Sequence, residues 1–426
     1  MLQTLKNAWV IKEIRNKILF TVMIIMIFRI GSVIPVPFVD TAALKAGATN
    51  EFFNYLSILT GGGLEYGAIF ALSVTPYINS SIIIQLLTVV FKRLQEWSKE
   101  GEEGQKKLAQ LTRWTTALLA LIQGVAYFVY LKNSRYLSVS GKGAVWFAGF
   151  VVVLAFTAGS TLVMWLGEQI DEKGIGNGIS IILFAGILSR GPQAFLALAQ
   201  YWGLKRYVAV VAIVFIFLVV IMFVVWMTHA ERRIPIQYAK RVVGNKMYGG
   251  QNTHIPIKVN MSGVMPIIFS SSILMLPTMV LSFMGTPTKP WAIALAKVLK
   301  LFSVQGTFYA IVYFLLIIGF AYFYATIQFN PVEMANNLRK NGGAIPGIRP
   351  GQPTTDFISK ILSRITLLGA LLLSVIAILP IIVGNVGEIN VSLGGTSMLI
   401  MVGVALDVVR SLESQMMMRH YKGFLD

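Results

Sequence analysis

Residues 207–228 read YVAVVAIVFIFLVVIMFVVWMT, 22 positions without a single charge. A hydrocarbon core about 30 Å thick is crossed by a helix of about 20 apolar residues, so this stretch is long enough to span it. The chain around it agrees. Of its 426 residues, 56% are hydrophobic and 13% charged, with a mean hydropathy of +0.71. Soluble domains average about 45–50% apolar and about 25% charged. Disorder, a collagen-like rod and a coiled coil are excluded, and the fold class is an all-α polytopic membrane protein. Ten apolar spans follow from run length: 18–37, 68–91, 113–131, 145–166, 178–199, 207–228, 263–283, 306–329, 360–383 and 396–412. The fifth is interrupted by Arg190-Gly191-Pro192 and is expected to end early and continue as a short interfacial helix. The first run is a retained span rather than a cleaved signal, because it ends in Ile34-Pro35-Val36-Pro37 and not in a small-residue cleavage site.

Lysine and arginine set the orientation. The side holding both termini and the 92–113, 166–178, 229–262 and 330–364 loops carries 25 of them, and the opposite loops carry 10. This bias places both termini in the cytoplasm. The net charge of +18 is therefore mostly a cytoplasmic face, attracted to anionic lipid and suited to an acidic or polyanionic partner. The two longest loops exceed what orientation needs. In one, residues 232–238 and 254–260 are expected to pair as a hairpin around Arg232, Arg233, Lys240, Arg241 and Lys246. In the other, a short helix runs through Arg339 and Lys340. After it comes Gly342-Gly343-Ala344-Ile345-Pro346-Gly347-Ile348-Arg349-Pro350-Gly351, a stiffened turn that projects Arg349. A planar guanidinium held in this way suits bidentate recognition of carboxylate or phosphate.

The second span has an unusual lead-in. Residues 50–59 (NEFFNYLSIL) are too short to cross, and Gly61-Gly62-Gly63 breaks them from the span. This is either a re-entrant segment, which requires burial in protein or a cavity, or an interfacial helix. Within the span, Asn79, Ser80, Ser81 and Gln85 either bond to neighbouring helices or line a watery path, and Ser270-Ser271-Ser272 poses the same choice. Catalysis finds little support. The chain has no cysteine, and its three histidines, His229, His254 and His420, are far apart, so no metal centre or cofactor is expected. Gly174-Ile175-Gly176-Asn177-Gly178 lacks the GK[ST] of a phosphate loop and is a turn into the fifth span. No paired mid-span aspartates, nucleophile motif or zinc motif points to an intramembrane enzyme. Arg29 and Asp407 are the clear intramembrane charges, and both lie toward span ends.

Several pieces, spread in order along the chain, resemble the SecY family, the channel subunits of the bacterial Sec protein-translocation machinery. They are Ile30 to Pro37, Thr75-Pro76-Tyr77-Ile78 through Gln85, Gly174 to Ser180, Tyr238-Ala239-Lys240-Arg241, His254 to Gly263 and Gly347-Ile348-Arg349-Pro350-Gly351. The resemblance implies a clamshell of two pseudo-symmetric five-helix halves, 1–203 and 204–426, with a pore between them. It implies a pore ring of Ile78, Ile82, Ile179, Leu183, Ile268 and Ile400. It implies a plug over about 55–66, including Tyr55, Leu56, Ile58, Leu59, Gly61, Gly62, Gly63, Leu64 and Tyr66. A lateral gate would lie between spans 2–3 and 7–8, tuned by Asn79, Gln85, Asn177, Ser271 and Ser272. The basic loops would dock the SecA ATPase or the ribosome, and SecE, SecG and signal-bearing precursors would be partners. Energy would come from outside the chain. The alternative weighed against this is an inverted-repeat secondary transporter of small solutes, which calls for a mid-membrane carboxylate that the spans lack.

Overall fold

The computed structural model describes residues 8–47, 57, 60–139, 141–203, 207–238, 241–243, 246–248, 252–261, 263–284, 290–302, 306–387 and 395–422. In lipid a backbone must satisfy its own hydrogen bonds, and the apolar runs do so as helices. In chain order these are α1 (Lys12–Gly31), α2 (Thr41–Gly47), α3 (Thr75–Val90), α4 (Lys92–Lys99), α5 (Glu102–Asn133), α6 (Lys142–Lys173), α7 (Gly178–Leu188), α8 (Gly191–Gly203) and α9 (Tyr207–His229). After the β1–β4 region come α10 (Met265–Met284), α11 (Pro290–Lys300), α12 (Thr307–Gln328), α13 (Pro331–Lys340), α14 (Gln352–Gly387) and α15 (Gly395–Lys422). Each expected span overlaps a helix. Among the described residues, five runs are long and apolar enough to cross a bilayer: Glu102–Asn133, Lys142–Lys173, Val210–His229, Thr307–Lys340 and Gln352–Leu379. The pair α3 and α4, bent by 103°, makes a sixth. The other expected spans fall on α1, α7, α10 and α15, which are shorter or more charged.

Two expectations about span limits meet different outcomes. The fifth span breaks at Ser189-Arg190 into α7 and α8, as the arginine and proline indicated. The second span begins at Thr75 rather than residue 68. Residues 60–74 are apolar enough to extend the span but are built of turns instead. Their backbone is tied to the chain after α1, where Val36 N–H donates to the Gly67 carbonyl (2.9 Å) and Ile69 N–H to the Ile34 carbonyl (3.0 Å). Pro76, in the first turn of α3, marks the true start.

Three apolar clusters organise the helices. One joins α5 and α6 to the 60–74 segment through Tyr127, Leu131, Val152, Phe156 and Leu64. A second joins α9, α10, α12, α14 and α15. The third lies between them and draws on α1, α3, α6, α7, α10, α12 and α15. Helix α10 packs on α3, α5 and α12, while α7 packs on α1, α6 and α15. On the basic side, Lys17 Nζ donates to Gln415 Oε1 (3.3 Å), tying α1 to α15.

The basic-side loops form a small β structure. β1 (Glu231–Tyr238) pairs antiparallel with β4 (Asn252–Lys258), Ile234 opposite Ile255, and with the short β5 (Gly343–Ala344). β2 (Arg241–Val243) and β3 (Lys246–Tyr248) close the hairpin tip. The expected pairing is thus present. Alternation explains it: Ile234 and Ile236 are buried while their neighbours face outward, the period-2 pattern of a half-covered strand. Ile257, Leu338, Ile345, Ile358 and Leu362 complete a separate apolar core beyond the spans.

Candidate functional site: an aliphatic cluster with a latched lead-in

The six aliphatic residues singled out from the sequence lie in one cluster. Ile78 and Ile82 come from α3, Ile179 and Leu183 from α7, Ile268 from α10 and Ile400 from α15, and each is between 1% and 8% exposed. Four helices thus bring branched carbons to one place. Residues four apart on α3 and on α7 share a helix face, which is how each helix contributes two. No hydrogen-bonding side chain belongs to this set, so it is held together by apolar packing alone.

The lead-in segment is seated against this region by polar contacts. Arg29 Nη1 donates to the Gly61 carbonyl and to Ser189 Oγ, both at 3.0 Å. Arg190 pairs with Glu65 at 2.6 Å, with side chains 17% and 21% exposed, and also bonds Ser57 Oγ. The buried Tyr127 hydroxyl of α5 donates to the Leu64 carbonyl at 3.1 Å. Lys45 stands over the Tyr66 ring, 4.1 Å from its centroid. Gly159 of α6 lets the Ile69 carbonyl press in. A Cβ there would lie 2.1 Å from that oxygen, so any larger residue would push the segment off. Of the predicted plug residues, Gly61, Gly62, Gly63, Leu64 and Tyr66 are in this seat. Tyr55, Leu56, Ile58 and Leu59 lie outside the described residues.

The predicted polar residues divide. Gln85 of α3 accepts from the Tyr324 hydroxyl of α12 (2.6 Å) and donates to Ser81 Oγ (3.2 Å), a bridge across the seam between α3 and α12. Asn79 is buried in α3, and Ser271 and Ser272 are buried in α10, where Ser271 Oγ donates to the Ile268 carbonyl (2.9 Å). Asn177 lies at the start of α7. Its side chain caps α7 by accepting from Ser180 N–H (2.9 Å). Ser80 ties α3 to α5, donating to the Thr112 carbonyl (2.9 Å) and meeting Thr115 Oγ1.

The basic tips also divide. Arg349 is exposed on a turn whose Gly347 and Gly351 take φ of +80° and +105°. Ile345 anchors that turn in the loop core, and Thr354 Oγ1 donates to the Arg349 carbonyl (2.9 Å). Arg232, Arg233, Arg339 and Lys340 are exposed. Arg241 and Lys246 fall in the hairpin strands β2 and β3, while Lys240 lies outside the described residues.

Sequence reasoning did not assign Glu65, Ser189 or Tyr324 a partner. A charge at a span end signals that one exists, since it is expensive unpaired, but the partners sit 125 and 160 positions away.

Comparison with known proteins agrees with this architecture. The SecY family model matches residues 68–409. The protein translocase subunit SecY of Bacillus subtilis is 43% identical over 439 residues, covering all of both chains. Among solved structures, one described as the SecY plug domain stabilising the closed channel and maintaining a membrane seal superposes with a TM-score of 0.66 at 16% identity, over 94% of this chain and 92% of that one. The canine Sec61 ribosome–channel complex superposes at 0.65 and 15%, with the same coverage. With a family model matched over residues 68–409 and full-length identity above 40%, the chain belongs to the SecY family.

Proposed function

We propose that this chain is the protein-conducting channel through which unfolded secretory precursors cross the cytoplasmic membrane, with hydrophobic segments leaving sideways into lipid. The single observation that carries the reading is the convergence of Ile78, Ile82, Ile179, Leu183, Ile268 and Ile400 from four helices in one buried cluster. A path for many different chains needs a narrow, deformable seal without hydrogen-bonding groups that would hold one peptide. Aliphatic carbons meet that need, and they exclude ions by dewetting when the path is empty.

In this reading the halves 1–203 and 204–426 part along the seam where α10 meets α3 and α5. The Gln85–Tyr324 bond is the polar clasp of a lateral gate, and the segment around Gly61–Tyr66 is a plug over the outer mouth. Both termini and the basic loops face the cytoplasm, consistent with the excess of lysine and arginine there. Arg349, Arg339, Lys340, Arg232 and Arg233 then offer docking points to the SecA ATPase or a ribosome, as do Lys240, Arg241 and Lys246 by their place in the sequence of the same loop. SecE and SecG are the expected companion subunits, and anionic lipid the expected surround. The chain supplies no catalytic step, and work comes from the docked partner.

The test exploits the absence of cysteine in the chain. A cysteine at Ile268 and another walked along a stalled precursor should form disulfides that shift along the precursor as it advances. Crosslinks confined to the basic loops, with none at Ile268, would reduce the chain to a docking scaffold and refute the pore assignment.

A further inference from the structure

Between β4 and α10 the chain does not turn back into solvent. Residues 259–261 are wedged between α12 and α14, where Val259, Asn260, Ala325, Thr366 and Gly369 wall a cavity of about 10 Å³. The approach is close enough that a Cβ on Gly369 would lie 2.3 Å from the Val259 carbonyl oxygen. Non-helical backbone at this depth needs partners for its polar groups from protein or from water.

Two of the residues lining this cavity each carry a buried side-chain atom without one. Asn260 Oδ1 and Thr366 Oγ1 are buried and have no hydrogen-bond partner among the described residues. Asn260 is 8% exposed and Thr366 is 6% exposed. A threonine inside a helix commonly donates to the carbonyl one turn back, as Thr112, Thr116 and Thr228 do here. Thr366 does not. An unpaired buried hydroxyl or amide costs about 1–3 kcal/mol, and two such groups on residues lining one cavity would be doubly unfavourable. About 10–15 Å³ is the room one water takes, provided polar groups surround it.

We propose that one buried water occupies this cavity and bridges Asn260 Oδ1 to the Thr366 hydroxyl. Water both donates and accepts, so the bridge holds whichever end of the Asn260 amide faces the void. It fastens the root of the basic-side hairpin, just ahead of α10, to the middle of α14. The site is independent of the pore assignment, since it rests on hydrogen-bond needs at a joint.

The test is hydrogen exchange on the full-length chain, with its co-purifying subunits, in lipid nanodiscs. Thr366→Val keeps the side-chain volume and deletes the hydroxyl. With the water present it strands Asn260, and the amides of Asn260 and Met261 should exchange roughly tenfold faster. Thr366→Ser should recover most of the protection. If the cavity is dry, Thr366→Val removes an unpaired hydroxyl, and exchange stays the same or slows. That result, or a serine variant as fast as the valine, overturns the proposal. A density map of the same assembly at a resolution that shows waters should carry one peak within hydrogen-bond distance of both atoms. An empty void there overturns it equally.

Discussion

Glu65→Gln is the sharpest probe of the seated lead-in. The variant keeps the shape of the side chain and deletes the charge that Arg190 meets at 2.6 Å. Removing one partner of a fully buried ion pair costs about 3–5 kcal/mol, and an exposed pair is worth at most about 1. Here 17% and 21% of the two side chains remain exposed, which places the cost at about 2 kcal/mol. Arg190 keeps its bonds to Ser57 Oγ and Gln193 Oε1, so it is not wholly stranded. About 2 kcal/mol corresponds to about a 30-fold shift toward the unseated segment. The readout is ion conductance of the resting assembly in planar bilayers, where leak should rise by that order. Glu65→Gln combined with Arg190→Gln replaces the ion pair by two neutral amides and should bring the leak back toward the parent. A resting leak unchanged in the single variant, or a double variant leakier than either single one, would refute the latch.

Three further outcomes follow from the same geometry. Tyr324→Phe deletes the donor to Gln85 and should weaken the α3–α12 seam by about 1 kcal/mol, read as a several-fold gain in export of precursors with weak signal sequences. Gly369→Ala sets a methyl 2.3 Å from the Val259 carbonyl oxygen, and should cost about 1–3 kcal/mol by overpacking, seen as a lower thermal midpoint in nanodiscs. Arg349→Lys keeps charge but loses the planar fork, so partner binding should fall nearly as far as in Arg349→Ala if recognition is bidentate, and should be spared if only charge matters; binding to the purified ATPase and to ribosomes separates the two.

The spans were legible because lipid leaves the backbone few alternatives, and 22 uncharged residues at 207–228 have one reading. The hairpin was legible because alternating isoleucines flank turn-forming glycines. The start of the second span was not. Ala68 to Val74 is apolar yet folds as turns, since backbone partners at Ile34 and Val36 supply what a helix would have supplied internally. Pro76 was the available signal. The convergence of the six aliphatic residues was invisible residue by residue, because isoleucines in any apolar packing look alike. Only the family resemblance selected those six. Asn177, selected in the same way for the gate, is engaged in capping α7, a local demand that a linear motif does not distinguish from a distant one.

The six convergent aliphatic residues have a further consequence. They belong to the same apolar cluster that holds α1, α6, α7 and α15 together. A seal made of them, as proposed, would therefore not be a separate shutter mounted on a stable frame. If these six line the path as proposed, a polypeptide threading between them would interrupt part of the molecule's own interior and would have to stand in for the carbon it displaces. A guest segment with enough methyl and methylene surface restores that packing as it passes. A run of strongly hydrated residues leaves the walls briefly unsatisfied. On that proposal each passing chain would serve as a temporary interior, and tolerance of sequence would have a gradient rather than a threshold.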